Sequence, residues 1–138
     1  MVTLSGCSYT YDVQAMVSDG HLVFHANPQW GADCVYQVEV RSEEDVAVTV
    51  WEQSISVENE CINKFPITYG VRLRGAAHVS ASRGVHDAIM GTSAPSVTAK
   101  KLRAGVIYTV STTTGGSGYG CGRFRIGPKR QVENLGCS

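Results

Sequence analysis

The stretch from Leu102 to Val110, Leu-Arg-Ala-Gly-Val-Ile-Tyr-Thr-Val, constrains the fold of this chain more than any other. A bulky apolar residue precedes a glycine turn and an alternating strand, and Tyr108 follows Leu102 by six positions. That is the spacing of a sandwich corner, where a strand enters the core and a tyrosine hydroxyl ties back to the turn. The rest of the chain must supply the layers that such a corner joins.

Alternation supplies them. Tyr9, Tyr11, Val13, Ala15 and Val17 share one parity, the mark of a half-buried strand. Ser18-Asp19-Gly20 is a hairpin signal, and Leu22-Val23-Phe24 begins the return strand, which Asn27-Pro28 ends. Cys34 to Arg41 alternates again, Ser42-Glu43-Glu44-Asp45 is a charged turn, and Val46 to Trp51 is its partner strand. Residues 53–94 form a long irregular insert. It holds a short strand at Phe65 to Gly70 and a loop from Gly75 to Gly91 with at most one helical turn at 85–90. Long loops of this kind in compact domains are usually functional or mobile. Order resumes at Ser96 to Ala99, runs through the corner to Thr112, turns at Thr113 to Gly118, and ends with a strand at Tyr119 to Ile126. The segment 127–138 reads as a polar tail. At 138 residues and 43% apolar composition, one domain (9–138) with its own core is expected.

Formal net charge is zero, which argues against a dedicated nucleic-acid binder. The zero hides an asymmetry. Residues 1–69 carry ten acids against Arg41 and Lys64, and residues 70–138 carry ten bases against Asp87 and Glu133. Either the surface is dipolar and steers a charged partner, or early and late strands interleave so that the charges pair across them.

Five cysteines, an odd count, need an explanation. Leu4-Ser5-Gly6-Cys7 resembles the lipobox of bacterial lipoproteins. The resemblance implies cleavage before Cys7 and a diacylglycerol on its thiol, with residues 1–8 as signal remnant and anchor. It also implies a place in the bacterial cell envelope, facing the periplasm and more in keeping with the outer than the inner membrane. The remaining cysteines form an even set suited to two disulfides in an oxidising compartment. Four cysteines allow three connectivities. Cys121 shares the face of Arg123 and Arg125, opposite Phe124 and Ile126, where the returning tail can meet it. Parity therefore favours Cys121 with Cys137, and Cys34 with Cys61.

Thr98 to Val110 resembles the corner before the sixth strand of a fibronectin type III domain. With strands at 9–17, 21–26, 34–41 and 46–52 before it and 119–126 after it, the resemblance implies an all-β, immunoglobulin-like antiparallel sandwich of about seven strands. The chain departs from the pattern by its insert and by having no cysteine pair on the second and sixth strands.

No nucleophile elbow, phosphate loop, dinucleotide fingerprint or His-Glu-x-x-His motif is present. His21 and His25 on one strand would stand about 13 Å apart, too far for one zinc. Gly115 to Gly122 joins two strands and enters no helix, so a flexible turn is expected rather than a phosphate cradle. These features lead to no catalytic residue, no metal site and no cofactor. Trp30, Trp51, Tyr69, His78 and His86 are the candidate binding surface. Trp51 falls on the parity opposite Val48 and Val50, which puts it either on the outer face or under residues 62–74. The function expected is that of a non-catalytic, lipid-anchored module binding an envelope protein or serving a structural role. The alternative is a periplasmic enzyme inhibitor or immunity protein presenting the 75–91 loop or the 113–118 turn. An enzyme using His78, His86 and Asp87 ranks third.

Overall fold

A computed structural model describes residues 9–28, 33–44, 48–56, 61–75, 96–115 and 118–137. The alternating segments become strands: β1 (Tyr9–Ser18), β2 (His21–Ala26), β3 (Val35–Ser42), β4 (Val48–Ser54), β5 (Ile67–Thr68), β6 (Ile107–Thr114), β7 (Gly118–Ile126) and β8 (Val132–Asn134). The described residues contain no helix, so the fold they form is all-β. Asp19 and Gly20, with φ 51 and 79, close the β1–β2 hairpin. Two successive positive φ values give a turn whose twist matches that of the strands.

The strands form one mixed sheet in the order β4-β3-β6-β7-β1-β2-β5, with β8 also on β7. It curls into a half-barrel around a single core. The curl begins where β1 changes partner. Tyr9 to Asp12 pair in parallel with Gly118 to Cys121, while Val13 to Ser18 pair antiparallel with β2. The parallel pairing departs from the wholly antiparallel arrangement expected. Beyond the crossover, the edge of β7 that β1 leaves is taken by β8, with Phe124 opposite Asn134. The Asn134 side chain then serves as a strand edge for β1: it accepts from the Ala15 N–H at 2.8 Å and donates to the Ala15 carbonyl at 2.9 Å. β8 lies in the segment read as a polar tail, where three residues with one apolar member leave no periodicity to detect.

The corner forms as its spacing predicts. The Tyr108 hydroxyl accepts from the Arg103 N–H at 2.8 Å. Its ring is buried and stacks on Phe124 with centroids 5.6 Å apart. Phe24 meets Phe124 from β2, also at 5.6 Å, and Val35, Val38, Val40 and Val110 fill the centre from β3 and β6. Such a core comes from inward-facing residues of the curled strands and removes their apolar surface from water.

The two ends of the sheet nearly meet. The short extended segment 97–100 bonds to β4, with Val97 and Glu52 exchanging both N–H···O bonds and the Lys100 N–H donating to the Val50 carbonyl at 2.9 Å. From the β5 side, the Tyr69 hydroxyl donates to the Lys100 carbonyl at 2.6 Å. Lys100 thus carries a bond from each end of the half-barrel.

Both disulfides are present. Cys34–Cys61 pins the start of β3 to the segment before β5, and Cys121–Cys137 pins β7 to the residues after β8. Each contributes about 3 kcal/mol by restricting the unfolded chain.

Candidate functional site

Trp51 is not on the outer face. A β-bulge sets Val40 opposite Trp51 but Arg41 opposite Thr49, so Val50 is an extra residue and parity is lost there. Val50 and Trp51 consequently both point inward, at 7% and 1% exposure. The indole packs against the ring of Tyr69 at 5.1 Å, under the 61–75 segment. This removes Trp51 from the candidate surface. Tyr69 is half-buried, and burial pushes its hydroxyl up to about 12, so it remains a donor to Lys100 across the neutral range. Trp30, His78, His86 and Asp87 lie outside the described residues, as do Cys7, most of the 75–91 loop and the middle of the 113–118 turn. His21 and His25 are exposed on β2.

Asp33 lies beside Cys34 and Cys61, but the disulfide leaves no thiolate there for a metal. Tyr11 lies between two hydroxyls, 2.8 Å from Thr112 Oγ1 and 2.9 Å from Thr114 Oγ1, and burial raises its pKa. Those groups satisfy one another where β1 crosses β6 and β7, which is a packing role.

The acidic and basic halves of the sequence meet in pairs. Glu43 takes the Arg123 guanidinium on both oxygens, at 2.8 and 3.0 Å, and accepts from the Thr109 hydroxyl at 2.5 Å. These bonds hold its carboxyl below the usual carboxylate range. Arg103 pairs with Glu44 across the halves as well, whereas the Arg125–Glu133 pair lies within the basic half. Pairing across the halves therefore accounts for the charges of Glu43, Glu44, Arg103 and Arg123.

A cleft of about 490 Å³ opens at the end of the half-barrel where β1 and β7 finish. Three turns assemble it: the β1–β2 hairpin, the corner at 101–105, and the turn from Gly127 to Gln131 between β7 and β8. Val17, Leu22, Leu102, Ile126 and Val132 give it an apolar lining, and Lys101 and Arg130 bring positive charge to it. Val17 is half exposed, which places apolar surface in contact with water at the mouth. The turn is closed by the Gly127 N–H donating to the Gln131 carbonyl at 2.7 Å and the Arg130 N–H donating to the Gly127 carbonyl at 3.0 Å. Arg130 itself has φ 64. Such a concavity can desolvate an apolar group while neutralising an anion beside it.

Tyr69, a candidate from the sequence, also lines the cleft, whereas the other lining residues carry no functional signal in the sequence. Lys101 and Leu102 belong to a stretch read for architecture alone, and Arg130 to a segment read as a tail. The one available signal was arginine at the fourth position of Gly-Pro-Lys-Arg, where a tight turn before a returning strand favours glycine or asparagine. No protein-family model matches the chain, and comparison with curated proteins and with solved structures finds no match either.

Proposed function

We propose that this chain is a non-catalytic binding domain of the bacterial cell envelope, tethered through lipid on Cys7, which takes another envelope component into the cleft at the end of its half-barrel. The observation that carries the reading is the cleft itself, an apolar concavity with two cations at one end of a rigid, cross-linked sheet. Two disulfides support an oxidising compartment. The sandwich affinity of the fold is part of the same proposal. The neighbouring order β3-β6-β7, with a tyrosine corner leading into β6, parallels the C-F-G sheet of immunoglobulin-like domains. A parallel first strand beside β7 then makes the chain a curled variant of that sandwich.

Binding at this place is testable by location rather than by identity. Amide spectra of the isotope-labelled full chain would be recorded while lipid and protein fractions of an envelope extract are added. Shifts clustered at Val17 to Leu22, Lys101 to Ala104 and Ile126 to Val132 support the reading. Shifts confined to the 61–75 segment or to the outer face around Tyr119 would refute it. The tether has its own test: recovery of Cys7 with a free thiol from cells that process lipoproteins normally removes the anchor from the proposal.

A further inference from the structure

Charge at the cleft is left over where the neighbouring surface is neutralised. Arg103, Arg123 and Arg125 each hold a carboxylate, on Glu44, Glu43 and Glu133. Lys101 and Arg130 line the cleft and have no carboxylate partner among the described residues. Lys129 adds a third cation in the same turn. Of the acids next to lining residues in sequence, Glu133 is taken by Arg125, which leaves Asp19 in the β1–β2 turn. The rim is net positive.

Arg130 carries a second, independent mark. Its φ of 64 lies in the left-handed region, which a side chain with a Cβ disfavours and glycine occupies freely. An arginine held in that conformation at the mouth of an apolar cleft belongs to the kind of strain that gathers at ligand clamps. The volume of about 490 Å³ falls within the range of small-molecule sites, about 300–1,000 Å³, and so does the make-up: apolar walls with a few placed polar groups.

We infer that the cleft binds a small anionic amphiphile, with its apolar tail along Val17, Leu22, Leu102 and Ile126 and its carboxylate head between Lys101 and Arg130. A guanidinium presents paired donors that match a carboxylate, and a lysine adds a point charge beside it. A neutral lipid would leave both cations unmatched. A compact anion without a tail would leave the apolar wall wet. The inference rests on the cleft being the binding site, and the experiment separates the two.

Calorimetric titration of the full chain with dodecanoate and with dodecanol, each below its aggregation limit, reads the head group directly. Dodecanoate should bind at least about tenfold more tightly than dodecanol, and the advantage should shrink in high salt. Arg130→Gly should weaken dodecanoate by about tenfold or more, leave dodecanol unchanged, and melt no lower than the parent because the turn loses its strain. Lys101→Gln should weaken dodecanoate in the same sense. Equal affinity for the two probes overturns the anionic head, as does an Arg130→Gly variant that binds dodecanoate like the parent. Lost binding together with a lowered Tm assigns Arg130 to the turn alone and also overturns it. Binding of neither probe overturns the amphiphile, while the spectral mapping decides the cleft separately. An acidic peptide that occupies the mapped cleft where dodecanoate does not would replace it with a protein partner.

Discussion

Gly122→Ala probes the point on which the half-barrel turns. A Cβ built on Gly122 would stand 2.1 Å from the Val13 carbonyl oxygen and 3.2 Å from a Val110 methyl. The first obstacle is backbone, at the residue where β1 leaves β7 for β2, so no side-chain rotation relieves it. Relief requires β1 to move by about an ångström, which loosens the Asn134 bonds to Ala15 and the inward packing of Val13. Overpacking of a well-filled interior costs about 1–3 kcal/mol, and a backbone obstacle belongs at the upper end. Restricting the unfolded chain returns about 0.4–1 kcal/mol. A net loss of about 2 kcal/mol follows, or roughly 6–8 °C in Tm for a chain of this size. Gly20→Ala is the matched comparison: nothing lies within 4 Å of its Cβ, and only its φ of 79 opposes the substitution. That costs about 1 kcal/mol. Thermal melts of the two oxidised variants, followed by near-ultraviolet circular dichroism, decide the matter. If Gly122→Ala melts as high as Gly20→Ala, close approach at the crossover is not what holds β1 in place.

Asn134→Ala strips the Ala15 N–H and carbonyl of their partners and should lower stability by about 2 kcal/mol, read as a shift in urea midpoint at constant slope. Removing the Cys121–Cys137 bridge by the double alanine substitution should cost about 3 kcal/mol; a melt within a degree of the parent would show that β8 holds the end of the chain unaided. Glu43 has a folded-state pKa below its ordinary 4.5. Its contribution is therefore present above the unfolded value and is lost as pH falls through the folded one. The parent should lose Tm more steeply than Glu43→Gln as pH is lowered from 5 towards 2, and parallel profiles would contradict the pairing with Arg123.

How legible each feature was depended on how local its cause is. The Tyr108 corner depends on a few consecutive residues, and it stands where its spacing put it. The Cys121–Cys137 pair was readable because strand parity aimed Cys121 at the returning chain. Trp51 was not placed correctly by parity, because the bulge at Val50 is set by the register with β3 and leaves no trace in alternation. The pairing of Tyr9 with Gly118 spans most of the chain, and no local pattern announces it. Gly120 and Gly122 lie in β7, the strand that alternation placed at Tyr119 to Ile126, but the close approach that requires glycine there comes from distant chain: a Cβ on Gly120 would strike Tyr11 and Thr112 at 2.4 Å. Tyr69 apart, the cleft was invisible for the same reason: the rest of it is assembled from three turns far apart in sequence, none with a period of its own.

The course of β1 also sets an orientation. The strand starts at Tyr9, two residues after the proposed anchor, and ends at Ser18 beside the cleft, so its ten residues act as a spacer of roughly 30 Å. A molecule tethered at Cys7 would turn the cleft away from its own bilayer, out over the aqueous space. An amphiphile reaching it would arrive through solution or from a facing surface rather than by sliding out of the membrane beneath. With the proposed anchor and ligand, the course of this strand would favour delivery over extraction.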